Sequence, residues 1–422
     1  MLRVALVQRR TRKEESKLYE LKELAIAAGY DPVLIVEQIR EPDPKYNIGR
    51  GKVKELKELI KSNDIDKIIF YNDLKPSQVH NLMKEWGVEV IDRFQLILEI
   101  FSKRAGSKEA KLQIELARLK RELSFIKERI HLTRKEEFAG FMSGGRYEVD
   151  AHYRHTISRI ARIERTLKEI RKKKRERVKA RSGAGLSTIA LTGYTGAGKT
   201  TLFNKLTGEN GYVDGRPFAT LSTTVRRTVI KGHKVLIADT IGFIEDLPPL
   251  LIDAFYTTLE EVSMADLILL VIDGSEVLKE IERKVQASME ALETVGVYRS
   301  KLLGVLNKID LMKSSDEIRE RVRVIEKWTG VEVVPISAMY GINLDTLKDR
   351  IISKIPGYVR AKIKLPVNNV SCSLASKVLE NACVLSEVVN NEFLEIDIKC
   401  KKEWLLRFVK EVNDLGGRFV FQ

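Results

Sequence analysis

Gly193-Tyr194-Thr195-Gly196-Ala197-Gly198-Lys199-Thr200 has the spacing G-x-x-x-x-G-K-[ST]. Glycines in such a turn leave consecutive backbone N–H groups free to wrap phosphate oxygens. The lysine then reaches the β- and γ-phosphates, and the last hydroxyl reaches Mg2+. Three further strings follow in order. Asp239-Thr240-Ile241-Gly242 offers a carboxylate that can hold Mg2+ through water and a glycine N–H that can meet a γ-phosphate. Asn307-Lys308-Ile309-Asp310 offers a carboxylate that can accept two hydrogen bonds from the ring N–H and exocyclic amine of guanine. Adenine presents no such donor pair, and a buried polar group left unpaired rejects the wrong base strongly. Ser337-Ala338 places backbone where it can touch the guanine oxygen. Each string alone is weak evidence; four in order imply a GTP-binding domain.

The elements that must position these strings are visible as apolar runs. Thr188-Ile-Ala-Leu-Thr192 reads as a strand into the first string and Thr201-Leu-Phe-Asn-Lys-Leu206 as a helix out of it. Val235–Ala238, Leu302–Leu306 and Val331–Pro335 read as strands that each deliver one of the later strings. The domain is expected over 186–355, ending before Pro356-Gly357.

Upstream, residues 1–105 alternate strands at Val4–Val7, Val33–Val36, Lys67–Tyr71 and Val88–Ile91 with helices over 13–28, 51–62, 77–86 and 94–104. That alternation predicts a small α/β domain with a mostly parallel sheet. Ile48-Gly49-Arg50-Gly51-Lys52 lacks a full phosphate-loop motif and reads as a turn capping a helix. In residues 106–180, Leu112, Leu116, Leu119, Leu123, Ile126 and Ile130 form one heptad seam, and Tyr153, Ile157, Ile160, Ile163, Leu167 and Ile170 a second. Two helices of about 25 residues should form an antiparallel hairpin reaching roughly 40 Å. Its tip is the Gly-rich Phe138–Tyr147, and Arg181–Gly185 is a short joint into the next domain. Residues 359–422, with a strand at Leu394–Ile398, an amphipathic helix near 402–414 and a final strand at Arg418–Gln422, read as a small α+β domain.

Composition narrows the function classes. The 422 residues carry net charge +15, and Lys168–Arg181 alone holds nine Lys or Arg against two Glu. Clustered cations suit a polyanion, because phosphate backbones reward them by counterion release. No apolar run approaches a membrane span. Met1–Arg10 reads as a strand rather than a signal peptide. Cys372, Cys383 and Cys400 lack metal-ligand spacing and read as free buried thiols of a reducing cytoplasm, where a monomer is expected.

Asp239–Pro248, Ala254–Glu261 and Ala265-Asp266 together resemble the extended signature of the HflX translational GTPases. Phe218-Ala219-Thr220-Leu221-Ser222-Thr223-Thr224-Val225-Arg226 is similar to that family's first switch. Arg104-Ala105, Lys111–Ala117, Gly49-x-Gly51-Lys52 and Asp92-Arg93 resemble its helical and N-terminal regions. The resemblance covers about residues 1–355. It implies a Ras-like GTPase domain beside an N-terminal α/β domain with a protruding hairpin, and binding to ribosomal RNA of the large ribosomal subunit in dissociation or rescue of ribosomes. It implies Mg2+ held by Thr200, Asp239 and a switch threonine, with Thr220 favoured and Thr223 and Thr224 as rivals. Lys199, Thr220 and Gly242 would then be the catalytic set, and Phe218 to Ser222 would join the nucleotide-binding residues. The chain departs from the pattern at Gly196, where bacterial members carry Asn for a monovalent cation, at Thr200 for Ser, and in a shorter interhelical loop.

Phe243 stands where Ras-like enzymes place the glutamine that orients the attacking water. A slow intrinsic GTPase stimulated by a partner is therefore expected, with Arg226 and Arg227 as candidate arginine fingers. Two other readings stay open here: an ATP-driven RNA-remodelling enzyme, against which Asp310 argues, and an RNA-binding scaffold stabilised by nucleotide.

Overall fold

The computed structural model describes the chain except residues 138–143, 184, 210–223, 241, 244–250, 252–261, 391 and 422. Side chains of 128–150, 179–183 and 381 are likewise outside the description. The chain divides into two compact units, one built on Met1–Lys168 and the other on the chain from Glu169 onward.

In the first unit, β1 (Leu2–Arg10), β2 (Tyr30–Ile39), β3 (Lys67–Phe70) and β4 (Glu89–Asp92) form a parallel sheet in the order β2-β1-β3-β4. The intervening helices are α1 (Leu18–Ala27), α2 (Arg50–Ser62) and α3 (Pro76–Trp86), and α4 (Arg93–Arg104) follows β4. Val53, Leu56 and Ile60 of α2 and Leu82 and Trp86 of α3 bury one sheet face with Ala5, Val7, Ile68 and Phe70. Helix α1 starts at Leu18 rather than 13. The buried Gln8 accepts from Lys17 N at 2.7 Å, and Glu14 accepts from Thr11 N, so residues 11–17 are tied into a loop instead. Gly49 is the N-cap of α2; a Cβ there would lie 2.0 Å from Arg40 Nη1, so the turn reading of this string holds.

The hairpin helices are longer than expected. Helix α5 runs Lys108–Glu137 and α6 runs Gly144–Gly183, which makes Gly144–Tyr147 helical and extends α6 through most of the expected joint. Residues 138–143 of the expected tip lie outside the described residues. The side-chain contacts Glu115–Arg159 and Glu122–His152 mark an antiparallel register, since one partner advances by seven residues as the other retreats by seven. Leu116, Leu119 and Ile126 are buried, as are Ile160, Ile163 and Leu167. The second seam needs one correction: Thr156 is buried while Ile157 is 40% exposed. Placing 156 between 153 and 160 restores the alternation of three and four that a heptad requires. Asp92 joins hairpin to sheet. It caps α4 at Gln95 N, accepts from Leu74 N, and pairs with Arg121 of α5, whose guanidinium lies 4.4 Å from the Phe94 ring.

In the second unit, six strands run β10 (Val333–Pro335), β9 (Leu302–Asn307), β8 (Leu267–Asp273), β5 (Ser187–Gly193), β7 (His233–Asp239) and β6 (Thr224–Ile230). All are parallel except β6, which runs against β7. Near-continuous apolar runs are what a sheet covered on both faces demands. Central β8, Leu-Ile-Leu-Leu-Val-Ile-Asp, is such a run and adds a strand to those expected. Helix α7 (Lys199–Thr207) follows β5; α8 (Leu278–Thr294), α9 (Ser315–Thr329) and α10 (Leu344–Lys354) cover the sheet.

The C-terminal part is β11 (Tyr358–Pro366), α11 (Asn369–Asn381), β12 (Cys383–Val389), β13 (Phe393–Lys401), α12 (Lys402–Asp414) and β14 (Arg418–Phe421), an antiparallel sheet ordered β12-β13-β11-β14. This bears out an α+β reading and adds α11, β11 and β12 to it. Cys383 and Cys400 are buried, and burial pushes the Cys400 thiol up to about 12. Cys372 is exposed, against expectation, because it faces away from the stripe of α11 that buries Leu374, Ala375 and Val378.

His233, at the start of β7, is buried with its ring edge on Tyr358, 4.8 Å between centroids. Burial, and then the charge of Lys399, holds its imidazole down to about 4. Between there and the ordinary 6.5 the unfolded chain binds more protons, so this group's contribution to stability is present above pH 6.5 and lost as pH falls toward 4. A His233→Phe protein should therefore lose less stability than wild type over that window, as read by urea denaturation at stepped pH.

Candidate nucleotide site

The four strings meet at the carboxyl ends of β5, β7, β9 and the loop after β10, the edge where open parallel sheets hold ligands. The phosphate-loop glycines explain themselves by geometry. Gly193 has φ +136°, and a Cβ on it would lie 2.2 Å from Val271 O of β8. Gly198 has φ +92°, and its Cβ would lie 2.3 Å from Asn307 Nδ2. Gly196 has φ +82° with open space beside it. It is the left-handed turn here that asks for glycine.

Lys199 is buried, and its ammonium donates to Gly193 O at 3.0 Å and Tyr194 O at 2.8 Å, inside the curl of the loop. Burial pushes this ammonium down to about 8, against the opposing pull of Asp239. Thr200 Oγ1 donates to Asp239 Oδ2 at 3.0 Å. A hydroxyl and a carboxylate side by side are the hard oxygen donors that Mg2+ selects, so these two residues fit that ion. Thr240 is spoken for: its hydroxyl donates to Leu191 O at 2.6 Å and stitches β7 to β5.

Asn307 is the joint of the site. Its Nδ2 donates to Ala197 O at 2.8 Å, and its Oδ1 accepts from Ala338 N at 2.9 Å. One carboxamide thus ties the phosphate loop to the Ser337-Ala338 loop. Lys308 takes φ +65° and pairs with Asp273 at the end of β8. Asp310 follows, and its Oδ1 is buried with no hydrogen-bond partner among the described residues. An acceptor so placed is free to take donors from a bound group. Ser337 is buried, closing a small turn with Ile342 and accepting from Tyr340 N.

Phe243 is the residue whose role the spacing leaves unread. It is 2% exposed, sunk among Val262, Ala265, Ile268, Leu270 and Ile281. Its backbone pairs with the phosphate loop: Phe243 N donates to Gly193 O at 3.0 Å, and Thr195 N donates to Phe243 O at 2.8 Å. An apolar side chain in a place where a polar one is expected was the available signal. Gly242 is held tightly as a result; a Cβ there would lie 2.8 Å from both Lys199 Nζ and Thr195 Cγ2.

Phe218, Ala219, Thr220, Leu221, Ser222, Thr223 and Ile241 lie outside the described residues. Thr224 and the two arginine-finger candidates stand in β6. Thr224 is in register with Asp239; Arg226 pairs with Glu209, and Arg227 donates to Glu380 O of α11.

Known proteins share this arrangement. Residues 15–102 match the family described as GTP-binding GTPase N-terminal, 104–181 the GTP-binding GTPase Middle Region, and 188–308 the 50S ribosome-binding GTPase. GTPase HflX of Thermofilum pendens is 54% identical over 373 residues, covering 88% of this chain and 87% of that protein. The chain belongs to the HflX GTPase family. GTPase HflX of Methanocaldococcus jannaschii is 38% identical over 411 residues, 96% of this chain and 98% of that protein, so the likeness extends past residue 355 into the C-terminal domain. GTPase HflX of Escherichia coli K12 is 33% identical over 84% of this chain and 83% of that protein. Among solved structures, a complex of SsGBP and GDP is similar, with TM-score 0.52, 32% identity, and coverage of 84% of this chain and 98% of that one. As a member of this family the chain is a GTPase.

Two measurements test the joint and the anchor. Asn307→Ala leaves Ala197 O and Ala338 N buried without partners, which should cost about 2–5 kcal/mol of stability in the nucleotide-free protein by urea denaturation. Phe243→Gln buries an amide in an apolar site, and should cost ~3–5 kcal/mol without speeding GTP hydrolysis, because position 243 faces the core.

Proposed function

We propose that this pocket binds GTP with Mg2+ and hydrolyses it slowly, and that the large ribosomal subunit accelerates the reaction. In this reading Gly193 to Thr200 wrap the phosphates and Lys199 neutralises the β- and γ-phosphates. Asp310 reads the guanine edge, and Ser337-Ala338 close over it. Asn307 and Lys308 support that loop. Thr200, Asp239 and a switch threonine, Thr220, hold the metal, which when bound offsets the charge that develops on the phosphate oxygens. Gly242 senses the γ-phosphate, and the segments flanking Phe218 to Ser222 and Asp239 to Gly242 change order when it leaves.

The observation that carries this reading is Asp310 Oδ1, buried and without a hydrogen-bond partner among the described residues, in the loop that Asn307 ties to the phosphate loop. The ribosomal part rests on charge. Lys172, Lys173, Arg175 and Arg177 are exposed along α6, a concentrated basic run suited to ribosomal RNA. The α/β domain over 1–105 and the hairpin over 106–180 would make that contact, with the GTPase domain over 186–355 and the domain over 359–422 attached. Acting as a cytoplasmic monomer, the protein would dissociate or rescue ribosomes.

Calorimetry should give wild type a preference for GTP over ATP of at least ~100-fold, and Asp310→Asn should collapse it toward parity. In sedimentation with purified large subunits, the protein should pellet with a non-hydrolysable GTP analogue and remain in the supernatant with GDP. Equal affinity for both purines, or equal pelleting in both states, would sink the reading.

A further inference from the structure

The residue after Gly242 points into the core, so the described site lacks the group that usually orients the attacking water. We propose that Thr195 supplies it: its hydroxyl, at the γ-phosphate end of the phosphate loop, holds the nucleophilic water. This rests on the GTP-hydrolysing reading above and gives one of its residues a chemical role.

Position is the first support. A Cβ on Gly242 would lie 2.8 Å from Thr195 Cγ2 and 2.8 Å from Lys199 Nζ, so threonine, glycine and ammonium surround one point. The lysine of this motif serves the β- and γ-phosphates, which places that point at the terminal phosphate. Aim is the second. The Thr195 backbone is clamped by its hydrogen bond to Phe243 O, and its methyl lies against Gly242. A β-branched side chain with its methyl so seated has little rotamer freedom, and the direction of the hydroxyl is set before nucleotide arrives.

Availability is the third. Thr200 bonds Asp239, and Thr240 bonds Leu191 O. Thr195 is half-buried, and its hydroxyl makes no hydrogen bond among the described residues. In the step, Thr195 Oγ1 accepts a hydrogen bond from the water. The water oxygen bonds to the γ-phosphorus as the bond to the β–γ bridging oxygen breaks, and that electron pair departs on GDP. Both water protons end on the released phosphate, so GTP and water give GDP and dihydrogen phosphate with charge conserved.

The test compares Thr195→Val and Thr195→Ser in the full chain. The valine protein should hydrolyse GTP in single turnover about 10- to 100-fold more slowly. It should bind a non-hydrolysable GTP analogue within about threefold of wild type by calorimetry, and fail to capture GDP with aluminium fluoride, which needs the in-line water. Serine should restore both the rate and the capture. A valine protein that hydrolyses and captures like wild type overturns the proposal, as does one whose loss of analogue affinity equals its loss of rate. Wild type that binds no guanine nucleotide would instead refute the pocket assignment beneath it.

Discussion

One buried carboxamide holds the nucleotide pocket in register. Asn307 reaches Ala197 in one direction and Ala338 in the other, linking loops that leave β5 and β10. Both backbone groups are buried, so each would lose about 1–3 kcal/mol if left unmade. The glycine at 198 exists in part to admit that side chain, since a Cβ there would collide with Asn307 Nδ2. Phosphate end and base end are therefore one rigid object, and Asp310 is presented three residues on from the joint.

A second constraint acts at the γ-phosphate end. Phe243 is a core residue by burial and a loop residue by position. Sinking a phenyl ring typically stabilises by about 1.5–3 kcal/mol, which fastens the end of the Asp239–Gly242 segment to the domain interior. The same ring cannot orient water. Structural anchoring and water positioning are thus separated in this chain, and the second task falls to a neighbour on the phosphate loop.

The C-terminal domain is joined to the GTPase sheet by polar contacts of some specificity. Lys401 donates to Asp266 Oδ1 at 2.8 Å, and the other oxygen of Asp266 accepts from Thr188 N at the base of β5. Lys234 and Arg227 of the β6–β7 hairpin donate to the last carbonyls of α11, where positive charge also meets the negative end of the helix dipole. Ser187 and Tyr358 share a hydrogen bond. Strands that carry the phosphate loop and Asp239 therefore also carry the C-terminal domain.

Much of this was written in local spacing. Gly-x-x-x-x-Gly-Lys-Thr, Asp-x-x-Gly and Asn-Lys-x-Asp announce their chemistry because each is a short run whose backbone shape and side chains act together. Apolar runs likewise announced the parallel sheets. What local spacing left open was decided over distance. The seam of α6 shifts from Ile157 to Thr156 because the partner helix, not the helix itself, selects the buried face. The start of α1 yields to Gln8, a residue on another element. Asn307 bonds Ala197 across 110 residues of chain, and Phe243 joins a core drawn from β8 and α8. The sequence by itself determined the order of the four strings and the chemistry each can offer a guanine nucleotide. Tertiary structure alone decided which of them are already occupied with one another, because hydrogen bonds and burial between remote segments have no signature in either segment taken singly.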